Sequence, residues 1–452
     1  MGRLFGTDGI RGVYGTDLNS ALAREVGRAL VQVLPKGDDG KSRILIGMDT
    51  RLSSFSLADS VMQGICEAGG DTVQIEVCST PAVAYLVVKH KFDAGVMISA
   101  SHNPFEYNGI KVFGADGFKL NDTLEEKIET LILDNDELFH RTKPMGSLEY
   151  DFSAVDEYAE YIIGSASCRL DGLRVGIDCA NGSASVTAEK IFTSLGAECH
   201  MLADKPDGRN INKDCGSTHL GGLKELVKEK GLDAGIAFDG DADRCLAIDE
   251  NGNEVDGDFI LAILACKLKS EGKLKGNTLV GTVMSNLGLV KFCEERGIDF
   301  LATKVGDRYV LEALNEKGLS LGGEQSGHII LRELSTTGDG QLTAVYLLSH
   351  LKESGKSLST LAKVMRKYPQ YMINVSADSD SKAAFKTDEV IKEIIDESER
   401  EMGNHGRILI RPSGTEPLIR VMTEGDDSNI AEGICKKLAE NIEKRLAELK
   451  LK

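Results

Sequence analysis

An α/β architecture is what this sequence predicts: three similar α/β domains with mixed, mostly parallel sheets, followed by a C-terminal α+β domain. Three observations predict it. Short apolar strands alternate with amphipathic helices. The alternation recurs three times, each round closing on a polar loop. After about Tyr368 the order changes to strand, helix, two strands, helix. At 452 residues, 41% of them hydrophobic, the chain is long enough for three or four cores.

The first strand of each round reads at Arg43–Gly47, Arg174–Asp178 and Thr278–Thr282, and the middle strand at Thr72–Val77, Glu198–Leu202 and Asp299–Thr303. The third strands run into Ser99-Ala-Ser101-His102-Asn103-Pro104, Asp239-Gly-Asp241-Ala-Asp243-Arg244 and Gly323-Glu324-Gln325-Ser326-Gly327-His328. Between strands, Leu57, Val61 and Ile65 share one helix face before Gly69-Gly70 stops the turn, and Leu124, Ile128 and Leu131 repeat this spacing behind Asp122 as the expected cap. Asn251-Gly252-Asn253 reads as a turn, and Asp256–Asp258 leads into the next helix. The tail reads as strand Met372–Ala377, helix Asp388–Glu401, strands Arg407–Ile410 and Leu418–Thr423, and helix Ile430–Leu449. Boundaries are expected at 1–153, 154–255, 256–368 and 369–452. Parallel sheets bind ligands at the carboxyl ends of their strands, so three similar domains can bring three polar loops to one cleft.

Composition narrows the function. With 53 basic against 71 acidic residues the net charge is -18, which repels nucleic acid and anionic membranes, and no run of Lys and Arg is dense enough to offset it. Met1–Gly6 lacks the apolar core of a signal peptide, Gly6 stands where a myristoylation motif takes Ser or Thr, and no apolar stretch reaches the roughly 18 residues needed to span a bilayer. The ten cysteines, scattered from Cys66 to Cys435 without a C-x-x-C pair, argue for reduced thiols. A cytoplasmic protein without nucleic-acid binding or membrane insertion is expected.

In Asp239-Gly-Asp241-Ala-Asp243-Arg244, three carboxylates at alternate positions repel one another unless a cation sits among them. A calcium loop would place Glu250 at its twelfth position, but Arg244 takes the place of the sixth-position glycine, and the flanks read as strands rather than helices. An aspartyl nucleophile of the haloacid-dehalogenase type expects Thr or Val soon after the second aspartate, and none is there. Ser101 precedes Pro104, which ends its strand. A hydrolase triad with His102 is disfavoured, because neighbours in an extended chain point to opposite sides and no G-x-S-x-G elbow is present; a turn-capping serine remains an alternative. Arg411-Pro-Ser413-Gly414-Thr415 offers an Arg fork, hydroxyls and a Gly-permitted nest suited to phosphate, and is equally compatible with a tight turn. Arg11, in Gly6-Thr-Asp8-Gly-Ile-Arg11-Gly12, holds an anion or pairs with Asp8. Lys111 alone reads as a solvated lysine and His328 as a structural histidine.

Taken together in this order, the four motifs resemble the α-D-phosphohexomutase superfamily from end to end, most closely its bacterial phosphoglucosamine mutases, and no motif departs from the family pattern. The resemblance implies four domains around a central cleft. It implies phosphorylation of Ser101, and one Mg2+ per chain on Asp239, Asp241, Asp243 and the Ser101 phosphate. Lys111, Arg11 and His328 become acid and base candidates, with Arg244 stabilising transferred charge. Glu324, Gln325 and Ser326 are placed on the sugar, and Arg411, Ser413, Gly414, Thr415 and Arg420 on its second phosphate. The implied reaction converts glucosamine 6-phosphate to glucosamine 1-phosphate through a bisphosphate, with a hexose 1,6-bisphosphate as activator, feeding UDP-N-acetylglucosamine and cell-wall synthesis. A glucose or mannose phosphate mutase, or a phosphoserine-dependent sugar phosphatase, is the alternative. Relatives are commonly homodimers, and some contact a membrane-bound cyclic dinucleotide cyclase.

Overall fold

The computed structural model describes residues 2–6, 8–34, 40–134, 144–413 and 417–450. They fall into two compact units, one of Met1–Met284 with Ile298–Val364, the other of Ser285–Gly297 with Met365–Lys452.

The first unit carries three sheets. In the largest, the strands lie in the order Phe5–Gly6, Gly9–Val13, Tyr107–Gly114, Ala94–Ile98, Arg43–Met48, Asp71–Val77 and Leu148–Tyr150. Helices Ser20–Val33 and Leu52–Glu67 bury Val26, Leu30, Leu57, Val61 and Ile65 in one cluster with Ile44, Ile46, Val96 and Ile98 of the sheet. The second sheet runs Glu254–Val255, Cys245–Asp249, Ala234–Phe238, Arg174–Asp178, Glu198–Leu202; the third runs Asp299–Thr303, Thr278–Thr282, Leu321–Gly323, Ile329–Leu331.

One pattern is common to all three. The first strand lies between the second and third, parallel to both, and the third turns back into an antiparallel fourth. Each chemistry-bearing loop is therefore a hairpin at a strand's carboxyl end, with its ends pinned by two ladders. Strands Ala94–Ile98, Ala234–Phe238 and Cys245–Asp249 are wholly buried, which accounts for the unbroken apolar runs of the first two and for Cys245–Ile248 of the third.

The second unit is an antiparallel sheet, Gln370–Ser376, Leu418–Gly425, Gly406–Pro412, packed by helix Ser428–Lys450. Helix Leu287–Arg296 belongs to this unit. Glu424, fully buried, accepts from Asn286 Nδ2 (3.2 Å) and from the Leu287 N–H (3.0 Å). Asn286 also exchanges hydrogen bonds with the Tyr368 backbone at 3.0 and 2.9 Å.

Two local expectations are corrected. Helix Asp122–Asp134 is capped by Asn121, whose Oδ1 accepts the Leu124 N–H at 3.0 Å, while Asp122 sits in the first turn. In the tail, a helix at Ser379–Thr387 precedes the expected one, which spans Glu389–Met402. Among the described residues no helix is long and apolar enough to cross a membrane.

Candidate active site

Ser101 sits in the hairpin that follows Ala94–Ile98, 2% exposed, with φ at +52°. The left-handed conformation costs a non-glycine residue about 1 kcal/mol or more, so the surroundings must enforce it. The Ser101 N–H donates to Ser99 Oγ (2.9 Å), and the Ser101 hydroxyl donates to Asp239 Oδ2 (2.5 Å). Here the extended-chain argument fails. Because Ser101 is left-handed, the ring of His102 turns back, and its Nδ1 lies 3.4 Å from Ser101 Oγ. Burial, then the Arg244 and Arg11 charges, push the His102 imidazole down to about 4, so it is neutral near pH 7.

Asp239, Asp241 and Asp243 project from the hairpin between Ala234–Phe238 and Cys245–Asp249, all buried, with one carboxylate oxygen of each within 4.8 Å of the others. Asp239 Oδ1 accepts the Arg244 N–H at 3.1 Å, and Asp241 Oδ2 accepts the Thr80 hydroxyl at 2.6 Å and Lys111 Nζ at 2.8 Å. Asp241 Oδ1 and Asp243 Oδ1 have no hydrogen-bond partner. Burial, then the Asp243 and Asp241 charges, hold the Asp239 carboxyl well above the usual range. Two orphaned acceptors in a buried set of oxygen donors fit a divalent metal ion. The calcium-loop alternative loses its last ligand: Glu250 instead accepts the Ser359 N–H and hydroxyl, at 3.1 and 2.5 Å.

Gly240, between the first two aspartates, has a steric reason. A Cβ there would stand 2.5 Å from the Ser101 carbonyl oxygen and 2.9 Å from Asn212 Nδ2. The two loops touch at their backbones, and only glycine leaves room.

Lys111 is buried rather than solvated. Its Nζ meets Asp241 Oδ2 (2.8 Å), Asp8 Oδ2 (3.0 Å) and Asp243 Oδ2 (3.3 Å). Burial works against its charge, but Asp241, Asp8 and Asp243 outweigh that and hold its pKa well above the ordinary value. These contacts extend into a closed ring in which carboxylates alternate with two lysines and a histidine. Asp8 pairs with Lys119, Lys119 with Asp307, Asp307 Oδ2 lies 3.6 Å from His328 Nε2, and His328 Nδ1 lies 3.6 Å from Asp243 Oδ1. Asp243 closes the ring through Lys111. The Gly338 N–H donates to His328 Nε2 at 3.1 Å, which needs a lone pair there and places the ring proton on Nδ1, toward Asp243.

Arg11 takes the Asp8 pairing of its two readings. Its Nη2 pairs with Asp8 at 2.7 Å, and its Nη1 reaches Asn103 Oδ1, in the serine hairpin, at 3.4 Å. Arg244 keeps Nε 4.0 Å from Asp239 Oδ2 and 3.9 Å from Asp243 Oδ1, without a hydrogen bond.

The third hairpin joins the second through backbone: the Cys245 N–H donates to the Gly327 carbonyl at 3.0 Å. Glu324 Oε1 accepts the Gly306 N–H at 3.0 Å, and Gln325 Nε2 donates to Asp256 Oδ2 at 3.3 Å; Glu324, Gln325 and Ser326 are all half-buried. In the second unit, Arg411 lies directly opposite Arg420 across the antiparallel ladder. Burial, then the Arg420 charge, lower the Arg411 pKa, a repulsive pairing that an anion relieves. The Ser413 carbonyl accepts Lys382 Nζ at 2.7 Å, while Gly414 and Thr415 lie outside the described residues.

Sequence reasoning missed Arg51, Thr80, Lys119, Asn212 and Asp307. Of these, Arg51 carried a signal, in Asp49-Thr-Arg51 at the carboxyl end of a buried strand; the others stand in segments that read as ordinary loops and helix starts.

Comparison with known proteins completes the picture. The chain matches four family models of phosphoglucomutase/phosphomannomutase: α/β/α domain I over residues 2–139, domain II over 156–252, domain III over 256–368 and the C-terminal domain over 372–441. A phosphoglucosamine mutase of Acetivibrio thermocellus is 51% identical over 451 residues, covering 99% of this chain and 100% of that one. One of Caldicellulosiruptor saccharolyticus is 50% identical over 450 residues, with the same coverage. The crystal structure of a phosphoglucomutase/phosphomannomutase family protein from Burkholderia thailandensis shares the fold, with a TM-score of 0.82 at 24% identity, over 99% of this chain and 98% of that one. The chain belongs to the phosphoglucomutase/phosphomannomutase family, within the α-D-phosphohexomutase superfamily of isomerases, close to its phosphoglucosamine mutases.

Proposed function

We propose that the chain interconverts glucosamine 6-phosphate and glucosamine 1-phosphate through a phosphoserine at Ser101 and a glucosamine 1,6-bisphosphate, supplying amino-sugar phosphate for UDP-N-acetylglucosamine and cell-wall synthesis. The observation that carries this is the Ser101 hydroxyl 2.5 Å from Asp239 Oδ2 within a buried carboxylate triad. The amino sugar is favoured over glucose or mannose by relatives about half identical along the whole chain.

In the forward step the sugar's 1-hydroxyl attacks the phosphorus on Ser101. The bond from phosphorus to Oγ breaks, the hydroxyl proton passes to a base, and Oγ regains a proton. The bisphosphate turns over and returns its 6-phosphoryl group to Ser101 by the reverse chemistry. Lys111, held cationic by its three carboxylates, suits the acid role; neutral His102, 3.4 Å from Oγ, and His328 suit proton acceptance; Arg11 and Arg244 bind the phosphoryl oxygens. One Mg2+ per chain, held by Asp239, Asp241, Asp243 and a Ser101 phosphate oxygen, would neutralise charge on the transferring group. A hexose 1,6-bisphosphate activates the enzyme by phosphorylating Ser101.

Glu324, Gln325 and Ser326 read the sugar, and Arg411, Ser413, Gly414, Thr415 and Arg420 form the phosphate site of the C-terminal unit. The four stretches 1–153, 154–255, 256–368 and 369–452 act as domains, in line with the four family models.

Phosphorus NMR with Mg2+ and a trace of hexose bisphosphate tests the reading, offering glucosamine, glucose and mannose 6-phosphates separately. Fastest growth of the 1-phosphate signal from glucosamine is expected. A wide margin for glucose or mannose overturns the substrate assignment, and release of inorganic phosphate alone overturns the mutase chemistry.

A further inference from the structure

Two side chains outside the proposed chemistry converge on the backbone around Ser101. Arg51 is fully buried and ion-paired with Asp49. Its Nη2 donates to the Ser101 carbonyl at 3.1 Å and to the Asn103 carbonyl at 2.6 Å. From the segment after the second strand of the second sheet, Asn212 Nδ2 donates to the same two carbonyls, at 2.9 and 3.0 Å. Asn212 is itself 7% exposed and left-handed, with φ at +57°, and its N–H is tied to the Ala180 carbonyl at 2.9 Å.

Two donors that share two acceptors fix the carbonyls on either side of His102. A left-handed serine left to itself relaxes toward the extended or right-handed regions, gaining about 1 kcal/mol and swinging its side chain to another direction. With both carbonyls pinned, that relaxation breaks up to four hydrogen bonds in a buried setting. The left-handed state is what holds Oγ 2.5 Å from Asp239.

The geometry points to Arg51 and Asn212 as positioning residues, a paired carbonyl clamp that holds the nucleophile loop in its reactive, left-handed conformation. The clamp rests on the reading of Ser101 as the phosphorylated residue. Arg51 arrives from the same sheet as Ser101, and Asn212 from the segment that carries the carboxylates' own sheet. The clamp therefore ties the phosphorylated loop both to its own sheet and to the domain that carries the triad. Its effect falls on the transfer rate, because neither side chain is placed on the sugar.

Asn212 is the residue to change, since loss of Arg51 leaves the Asp49 charge buried alone. Asn212→Gly keeps the left-handed backbone and removes the donor. Asn212→Asp keeps shape and backbone preference but turns an acceptor toward two carbonyls. The full-length chain is given radiolabelled glucose 1,6-bisphosphate with Mg2+, label on Ser101 is followed by peptide mapping, and kcat and KM for glucosamine 6-phosphate are measured alongside. The expected result is labelling and kcat lowered about tenfold in Asn212→Gly and about 100-fold in Asn212→Asp, with KM within about twofold of the native value. Native-rate labelling in Asn212→Asp overturns the clamp, as does a KM that rises in step with the lost rate. A native chain that takes no label at Ser101 overturns instead the reading of Ser101 on which the clamp rests.

Discussion

A methyl group at position 240 has nowhere to go. It would meet the Ser101 carbonyl oxygen at 2.5 Å, Ile211 Cδ1 at 2.8 Å and Asn212 Nδ2 at 2.9 Å, and the first and last of these belong to a hydrogen-bonded array that cannot swing aside like a long side chain. Gly240→Ala is expected to push the serine hairpin away from the triad and lower kcat by about 100-fold. Its calorimetric midpoint should fall as well, because the methyl meets the buried Ile211 side chain besides the two loops; an unchanged kcat contradicts the contact. Asp178 gives a second prediction. Burial pushes its carboxyl up to about 6, from an ordinary 3.8, even though Oδ1 accepts the Ala180 N–H and Oδ2 the Gly216 N–H. The folded state then binds the proton more tightly than the unfolded one, so the associated stability is present below about pH 4 and is lost as pH rises through 6. Urea unfolding between pH 4.5 and 7 should show the native chain losing about 2 kcal/mol relative to Asp178→Asn across that window; parallel curves refute it. Ser101 shows where residue-scale reading stops. Alternation of side chains holds for extended backbone, and this residue is left-handed because of donors 50 and 111 residues away in the chain.

At the scale of elements, periodicity made most of the fold legible. All nine strands of the three rounds stand at the expected positions, and the third of each round is a buried apolar strand that ends in a polar hairpin. A shared device after each first strand went unseen: Asp49, Asp178 and Thr282 each accept, through a side-chain oxygen, the N–H two residues on. Helix Ser379–Thr387 was illegible because it buries only Ser381 and shows no apolar stripe. In the same unit, Arg411 and Arg420 face each other on neighbouring strands, a like-charge pairing that a bound anion would relieve. Arg411→Ala should therefore weaken sugar-phosphate binding by about tenfold or more, one charged hydrogen bond's worth, without lowering the unfolding temperature. Calorimetry and titration together check this, and a variant that binds normally refutes the phosphate site.

For the whole molecule, folding gathers three buried carboxylates around Lys111 and leaves two of their oxygens, Asp241 Oδ1 and Asp243 Oδ1, without a hydrogen bond. Mg2+ at 100 times its dissociation constant should add about 2.7 kcal/mol of stability to the native chain and markedly less to Asp243→Asn. A thermal midpoint indifferent to Mg2+ rules out the metal site. The polar ring through Asp8, Lys119, Asp307, His328, Asp243 and Lys111 was beyond sequence reasoning because its contacts are long-range. Lys119 meets partners 111 and 188 residues away, and no local pattern marks a lysine for burial.

The C-terminal unit borrows residues 285–297 from between two strands of the third sheet. Those residues leave the ribosome well before Glu424 and Tyr368, whose hydrogen bonds hold Asn286 and Leu287. During synthesis, helix Leu287–Arg296 must wait without its partners until the last sheet has been made. A nascent chain stalled before Leu418 cannot complete that unit, and a truncation that removes the tail strands a helix far upstream of the cut.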